Sequence, residues 1–118
     1  MLLERLSNAC GVSGDESAVR ALLKEVLAPR VDEMWSDPMG NLIVRKGSGP
    51  VRVMLDAHMD EVGFLVGEIT DDGYLSLRKV GGLDDRVLPG RQVWVTHRRI
   101  PGVIGVKAWH LCSDEERK

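Results

Sequence analysis

The chain has 118 residues, 43% of them hydrophobic, and a formal net charge of −2 with histidine neutral. This length suffices for one ordinary hydrophobic core or for parts of two domains. Acidic and basic residues are interspersed rather than grouped by sign, so neither nucleic acid nor an anionic membrane is expected as a partner.

The N-terminal nine residues predict a short helix, because Leu2, Leu3 and Leu6 recur at helical spacing. Glu4 and Arg5 stand where a signal peptide would need its apolar region, and no run of about 20 apolar residues follows. The two cysteines lie far apart and predict reduced thiols rather than a disulfide framework. We therefore expect a cytoplasmic protein.

A second helix is predicted after Gly11, within GVSGDESAVRALLKEVLAP. Ser13 and Glu16 have the spacing of a capping box, and Pro29 is expected to end the helix. Its apolar positions form one stripe that is typical of a face packed on a core: Val19, Leu22, Leu23, Val26 and Leu27.

Two hairpins are predicted from alternating runs that flank turn residues. The first joins a strand at 31–36 to a strand at 41–46 through Asp37-Pro38-Met39-Gly40. The second joins 62–69 to a half-buried strand at 74–80 through Thr70-Asp71-Asp72-Gly73.

Between the hairpins, the apolar run Val51–Leu55 predicts a strand buried on both faces of an α/β sheet. Asp56, His58, Asp60 and Glu61 follow it, where the carboxyl ends of strands commonly form ligand sites. Asp60 is placed to hold the His58 imidazole with one ring nitrogen free for a metal. The alternative is a histidine that caps a strand end beside solvated acids.

From Gly81 the sequence changes to short β-rich runs separated by Gly-Gly and Pro-Gly pairs, a pattern typical of a small barrel or sandwich. We therefore expect two domains, an α/β part at 1–67 and a β-rich part at 68–118. No internal repeat or low-complexity segment is visible.

Five segments together resemble the glutamyl or deblocking aminopeptidases, tetrahedral metal-dependent enzymes often labelled cellulase or endoglucanase M. The segments cover nearly the whole chain: GVSGDE, DPMGNLIV, MLDAHMDEVGF, VGGLDDRVLPGRQV and IPGVIGVKAWHL. The resemblance implies an α/β catalytic domain interrupted by an inserted PDZ-like β-barrel, of which 68–118 would be a part. It also implies peptide substrates and a homo-oligomer.

Carried over by position, the resemblance makes His58 the first ligand of a centre with two zinc or cobalt ions. Asp60 becomes the catalytic carboxylate that orients this ligand. The family's bridging aspartate, its water-activating glutamate and its other ligands have no counterpart in this sequence. We therefore expect the N-terminal portion of an aminopeptidase, inactive by itself; the alternative is a non-catalytic self-association or partner-binding module.

Other candidate residues are weaker. His97 is expected at a solvated hairpin position, His110 beside Trp109 as a packing or turn residue, and Arg86 in a local ion pair with a carboxylate. Gly81-Gly82 is too short to cradle a phosphate, and neither a Gly-x-Ser-x-Gly motif nor a Cys–His pairing favours a serine or cysteine hydrolase. Ala-Trp at 108–109 replaces a proline pair common in the family, and we expect this difference to affect a local loop.

Overall fold

The structure, a computed structural model, describes residues 1–115. Helix α1 spans Leu2–Ser7 and helix α2 spans Ser17–Leu27, with 3-10 turns at Ala28–Arg30, Asp85–Val87 and Trp109–Leu111. The strands are β1 (Glu33–Ser36), β2 (Leu42–Arg45), β3 (Gly63–Ile69), β4 (Leu75–Val80), β5 (Gln92–Val95) and β6 (Ile100–Val103).

The described strands pair in sequence order as three separate antiparallel ribbons, β1–β2, β3–β4 and β5–β6. Each ribbon is a local hairpin that needs only a short connection between its strands. The mixture of helices and sheet confirms the α/β class. The inserted barrel expected for 68–118 stays a prediction, and residues 116–118 of that region lie outside the described part of the chain.

Helix α2 carries the apolar stripe that the sequence predicts. Val19 is buried, with 7% of its surface exposed, and the other four stripe residues are half-buried. Pro29 lies in the 3-10 turn that follows the helix, which confirms it as the end of the α-helical ladder. The capping box is wrong, because the helix begins at Ser17 with Glu16 as its N-cap and Ser13 lies outside it.

Both predicted hairpin turns are present. The N–H of Asn41 donates to the Asp37 carboxylate at 2.9 Å, and the N–H of Tyr74 donates to the Thr70 hydroxyl at 3.0 Å. These bonds are typical of turns built on Asp and Thr side chains. The prediction that β4 is half-buried is wrong, since residues 75–79 are all exposed.

The predicted central strand Val51–Leu55 is also wrong. Residues 51–60 form no strand, and Val51 and Leu55 are 83% and 93% exposed. A strand buried on both faces requires hydrogen-bonded neighbours and covering layers. Among the described residues, no strand pairs with this segment.

The chain divides into two compact units, Met1–Gly82 and Leu83–Lys118. The expected boundary between residues 67 and 68 falls inside β3, so the β3–β4 ribbon lies entirely in the first unit. The two-domain assignment at 1–67 and 68–118 stays a prediction. Within the described residues, neither α-helix has the length and apolar character that a membrane crossing requires.

Candidate functional site

The candidate site lies in the first unit, where the chain approaches β3. The N–H of Glu61 donates to the Gly11 carbonyl at 2.7 Å, and Val12 and Glu61 form an isolated parallel bridge. These contacts join the loop before α2 to the end of the 51–60 segment. Two stretches far apart in the sequence thus share one corner of the fold, which we call the anchored corner (11–13 with 58–61).

Two glycines permit the close packing of the anchored corner. A Cβ at Gly63 would lie 2.5 Å from Val12 Cγ2, and a Cβ at Gly11 would lie 2.7 Å from Val19 Cγ2. Either side chain would displace a β-branched neighbour whose χ1 angle is stiff. Glycine at both positions therefore lets the loop, α2 and the start of β3 approach closely.

His58 and Asp60 are in direct contact. His58 Nδ1 lies 3.0 Å from Asp60 Oδ1 and 2.9 Å from the Asp60 backbone carbonyl oxygen. Both partners are acceptors when the carboxylate is ionised, so Nδ1 is the protonated nitrogen and donates to them. Nε2 then carries the lone pair, on a side chain that is 84% exposed. This is the tautomer in which a histidine binds a metal through Nε2.

Asp60 has a second partner, since the Ser13 hydroxyl donates to its Oδ2. The pKa of Asp60 lies below its usual value, mainly because of the Ser13 hydrogen bond. Partial burial opposes this effect, and the hydrogen bond from His58 adds to it. The carboxylate is therefore held in its ionised form, with each oxygen assigned to one donor.

Sequence reasoning missed Ser13 as a site residue. Its short polar side chain before the helix was assigned to helix capping, which is the commoner role of serine in such a turn. The contact with Asp60 joins residues 47 apart in the sequence. No local pattern reports such a contact.

The other acidic residues near His58 do not complete a metal site. Within residues 1–115, no group of three or more His, Cys, Asp or Glu side chains is arranged to hold an ion. Glu61 and His58 line an open, largely apolar cavity of about 320 Å³ against α2, and Asp56 is exposed. The described residues therefore do not form a whole zinc coordination sphere, which takes three or more protein ligands.

The remaining candidates lie in the second unit. Arg86 Nε donates to both carboxylate oxygens of Asp84 at 3.0 and 3.1 Å, which confirms the expected local ion pair. This contact raises the pKa of Arg86 above its usual value. His97 is exposed after β5, and His110 is exposed in the 3-10 turn Trp109–Leu111.

Residues 40–118 match the family model described as M42 glutamyl aminopeptidase. FrvX from Escherichia coli (strain K12) is 38% identical over 120 residues, which cover 99% of this chain and 34% of FrvX.

Solved structures match as well. The TET aminopeptidase from the marine sediment archaeon Thaumarchaeota archaeon SCGC AB-539-E09 superposes with a TM-score of 0.84 and 36% identity, covering 99% of this chain and 34% of that one. The Pyrococcus horikoshii TET1 peptidase superposes with a TM-score of 0.79 and 39% identity, covering 99% of this chain and 36% of that one. That peptidase is described as assembling into a tetrahedron or a large octahedral shell. The chain thus spans about a third of the length of these relatives.

Proposed function

Since this chain belongs to the M42 glutamyl aminopeptidase family, we propose that it is the N-terminal part of a metal-dependent aminopeptidase. Such a hydrolase releases N-terminal residues from peptides. The match with a TET aminopeptidase along almost the whole of this chain supports the proposal.

The arrangement of His58 is the observation that carries this function. Its Nδ1–H is held by Asp60, while Nε2 is left on an exposed ring. Because residues 51–60 form no strand, His58 has no strand end to cap. We assign His58 as a ligand of one of two zinc or cobalt ions and Asp60 as the carboxylate that orients it.

When bound, the metal pair would polarise the scissile carbonyl and lower the pKa of the attacking water. The role of Asp60 is to keep the proton on Nδ1 and the imidazole plane in one orientation. Its ionised state suits this role, because a protonated Asp60 would be a weaker acceptor for Nδ1–H. Its hydrogen bonds favour the ionised form further, because they lower its pKa.

The other metal ligands and the base that activates water are proposed to come from outside this sequence. The incomplete ligand set within residues 1–115 is consistent with a chain that spans a third of its relatives. We accordingly expect this chain by itself to hydrolyse no aminoacyl-p-nitroanilide, even with excess zinc or cobalt.

We further propose a cytoplasmic homo-oligomer in which 68–118 belong to an inserted PDZ-like barrel. Assembly of the TET1 peptidase into closed shells supports the oligomer. The two cysteines, both free, are consistent with a reducing compartment.

One observation favours the alternative of a non-catalytic association module. The β5–β6 ribbon exposes Trp94, Ile100 and Val103, and large exposed apolar side chains often mark protein contacts. This alternative needs no metal and predicts association without hydrolysis.

The test is a hybrid enzyme in which residues 1–118 replace the segment they match in the archaeal TET aminopeptidase. We expect it to hydrolyse aminoacyl-p-nitroanilides when loaded with zinc or cobalt. His97→Ala is a matched control, since this exposed histidine lies outside the site and its loss should leave the rate unchanged. A soluble, assembled hybrid that binds metal but turns over no substrate would reject the catalytic proposal in favour of the association module.

A further inference from the structure

The Asp60 carboxylate is shared between two donors that approach different oxygens. Oδ1 accepts from His58 Nδ1 at 3.0 Å, and Oδ2 accepts from the Ser13 hydroxyl. A hydrogen-bonded row Ser13–Asp60–His58 results, with the carboxylate in the middle. This order differs from a serine-hydrolase triad, in which histidine stands between serine and the carboxylate, so Ser13 is not activated as a nucleophile.

We propose that Ser13 is a positioning residue: it holds Oδ2 of Asp60 so that Oδ1 keeps His58 in the Nδ1–H tautomer with Nε2 available. The use of that nitrogen as a metal ligand rests on the proposed function. The positioning itself does not, because it concerns a tautomer that exists without any metal.

Ser13 can act as a fixed donor because the backbone, and not Asp60, determines its place. The N–H of Asp15 donates to the Val12 carbonyl at 2.8 Å, closing a turn around Ser13. Gly14, whose φ is +92°, donates its N–H to the Glu16 carboxylate at 2.6 Å. The Val12–Glu61 bridge then sets this turn beside Asp60.

A second contact restricts the rotation of the Asp60 carboxylate more than the His58 hydrogen bond alone. The χ2 torsion of aspartate has a broad minimum, and the Asp60 side chain is 41% exposed, so water competes for both oxygens. A donor on Oδ2 restricts this rotation and leaves Oδ1 directed at the imidazole. The backbone carbonyl of Asp60 also accepts from Nδ1, so loss of Ser13 should weaken the tautomer preference without abolishing it.

The test reads the imidazole tautomer directly from ring ¹⁵N chemical shifts of the 118-residue chain. His97→Gln and His110→Gln leave a single imidazole to observe. The sample is kept at about pH 8.5, because only a neutral imidazole has two tautomers to compare. Shifts can be read in solution or, from sedimented protein, in the solid state.

We expect the Nδ1–H tautomer to dominate with Ser13 present. Ser13→Ala should lower the ratio of Nδ1–H to Nε2–H about 3- to 10-fold, the size of change expected when one neutral hydrogen bond of the row is lost. Ser17→Ala is the matched control, because it removes another hydroxyl–carboxylate bond, 3.1 Å to Asp15 at the start of α2, without touching Asp60.

A second pair of variants separates positioning from packing. Ser13→Thr keeps the hydroxyl and should retain the wild-type tautomer ratio. Ser13→Val has nearly the shape of the threonine variant but no hydroxyl, so its ratio should match that of Ser13→Ala. An unchanged ratio in the alanine variant, or equal losses in the threonine and valine variants, would overturn the proposal. If the assembled hybrid enzyme turned over no substrate while the tautomer effect of Ser13 was intact, the proposed catalytic function would be rejected. The positioning role of Ser13 would still stand.

Discussion

Two neighbouring parts of the first unit contrast in how they are held. The anchored corner is fixed by backbone bonds, a parallel bridge and the Ser13–Asp60–His58 row. The segment Val51–Leu55, directly before it in the chain, forms no strand and exposes its large apolar side chains. A polar site can be organised by a few directional bonds between two short stretches, whereas a buried strand depends on neighbours along its whole length.

The largest expected effect concerns the anchored corner in the hybrid enzyme. His58→Ala should lose metal and lower activity more than about 100-fold, because a ligand is removed. Asp60→Asn should keep the fold and bind metal about 10–100-fold more weakly. Elemental analysis and p-nitroanilide kinetics measure both effects. Full metal loading and near wild-type rates in both variants would make the His58–Asp60 contact purely structural.

A steric change should disrupt the anchored corner through its backbone. Gly63→Ala would place a Cβ 2.5 Å from Val12 Cγ2, and such overpacking costs about 1–3 kcal/mol in free energy of unfolding. Gly49→Ala is the control, since nothing lies within 4 Å of its added Cβ. Urea denaturation of both variants measures the difference in free energy of unfolding. Equal values would show that the Val12 side chain moves aside without destabilising the fold.

Acid should loosen the anchored corner by protonating Asp60. The pKa of Asp60 is lower in the folded state than in the unfolded chain, where it is about 3.9. The ionised carboxylate therefore stabilises the fold above that unfolded pKa, and this contribution is lost as the pH falls through the folded pKa. Amide NMR shifts of residues 11–13 should follow this titration in wild type and lose it in Asp60→Asn. Asp37, whose pKa is lowered by Asn41 in the first hairpin, should titrate unchanged in that variant.

The smallest effect on stability is expected in the exposed segment. Leu55→Lys should change the free energy of unfolding by less than about 0.5 kcal/mol, because its side chain is 93% exposed. The same variant should reduce self-association, since uncovered apolar segments promote aggregation. Light scattering and urea denaturation separate the two effects. A large loss of stability would mean that Leu55 is packed in solution, contrary to its exposure here.

Local patterns in the sequence were sufficient for the two α-helices and the first two hairpins. The α2 stripe, Pro29 and the turns at Asp37 and Thr70 were all predicted, because each depends on residues within a few positions of one another. The His58–Asp60 contact was predicted for the same reason, since the two residues are only two positions apart. Family membership was also readable from the motifs alone.

Only the tertiary structure decided the state of Val51–Leu55 and the partner of Ser13. The apolar run of this segment is compatible with a buried strand, but burial depends on partners that hydrophobicity along the segment does not specify. Ser13 is compatible with a helix cap, and its bond to Asp60 arises because the Val12–Glu61 bridge brings distant backbone together. Sequence patterns report preferences over a few residues, whereas strand burial and the Ser13–Asp60–His58 row depend on contacts between residues far apart in the chain.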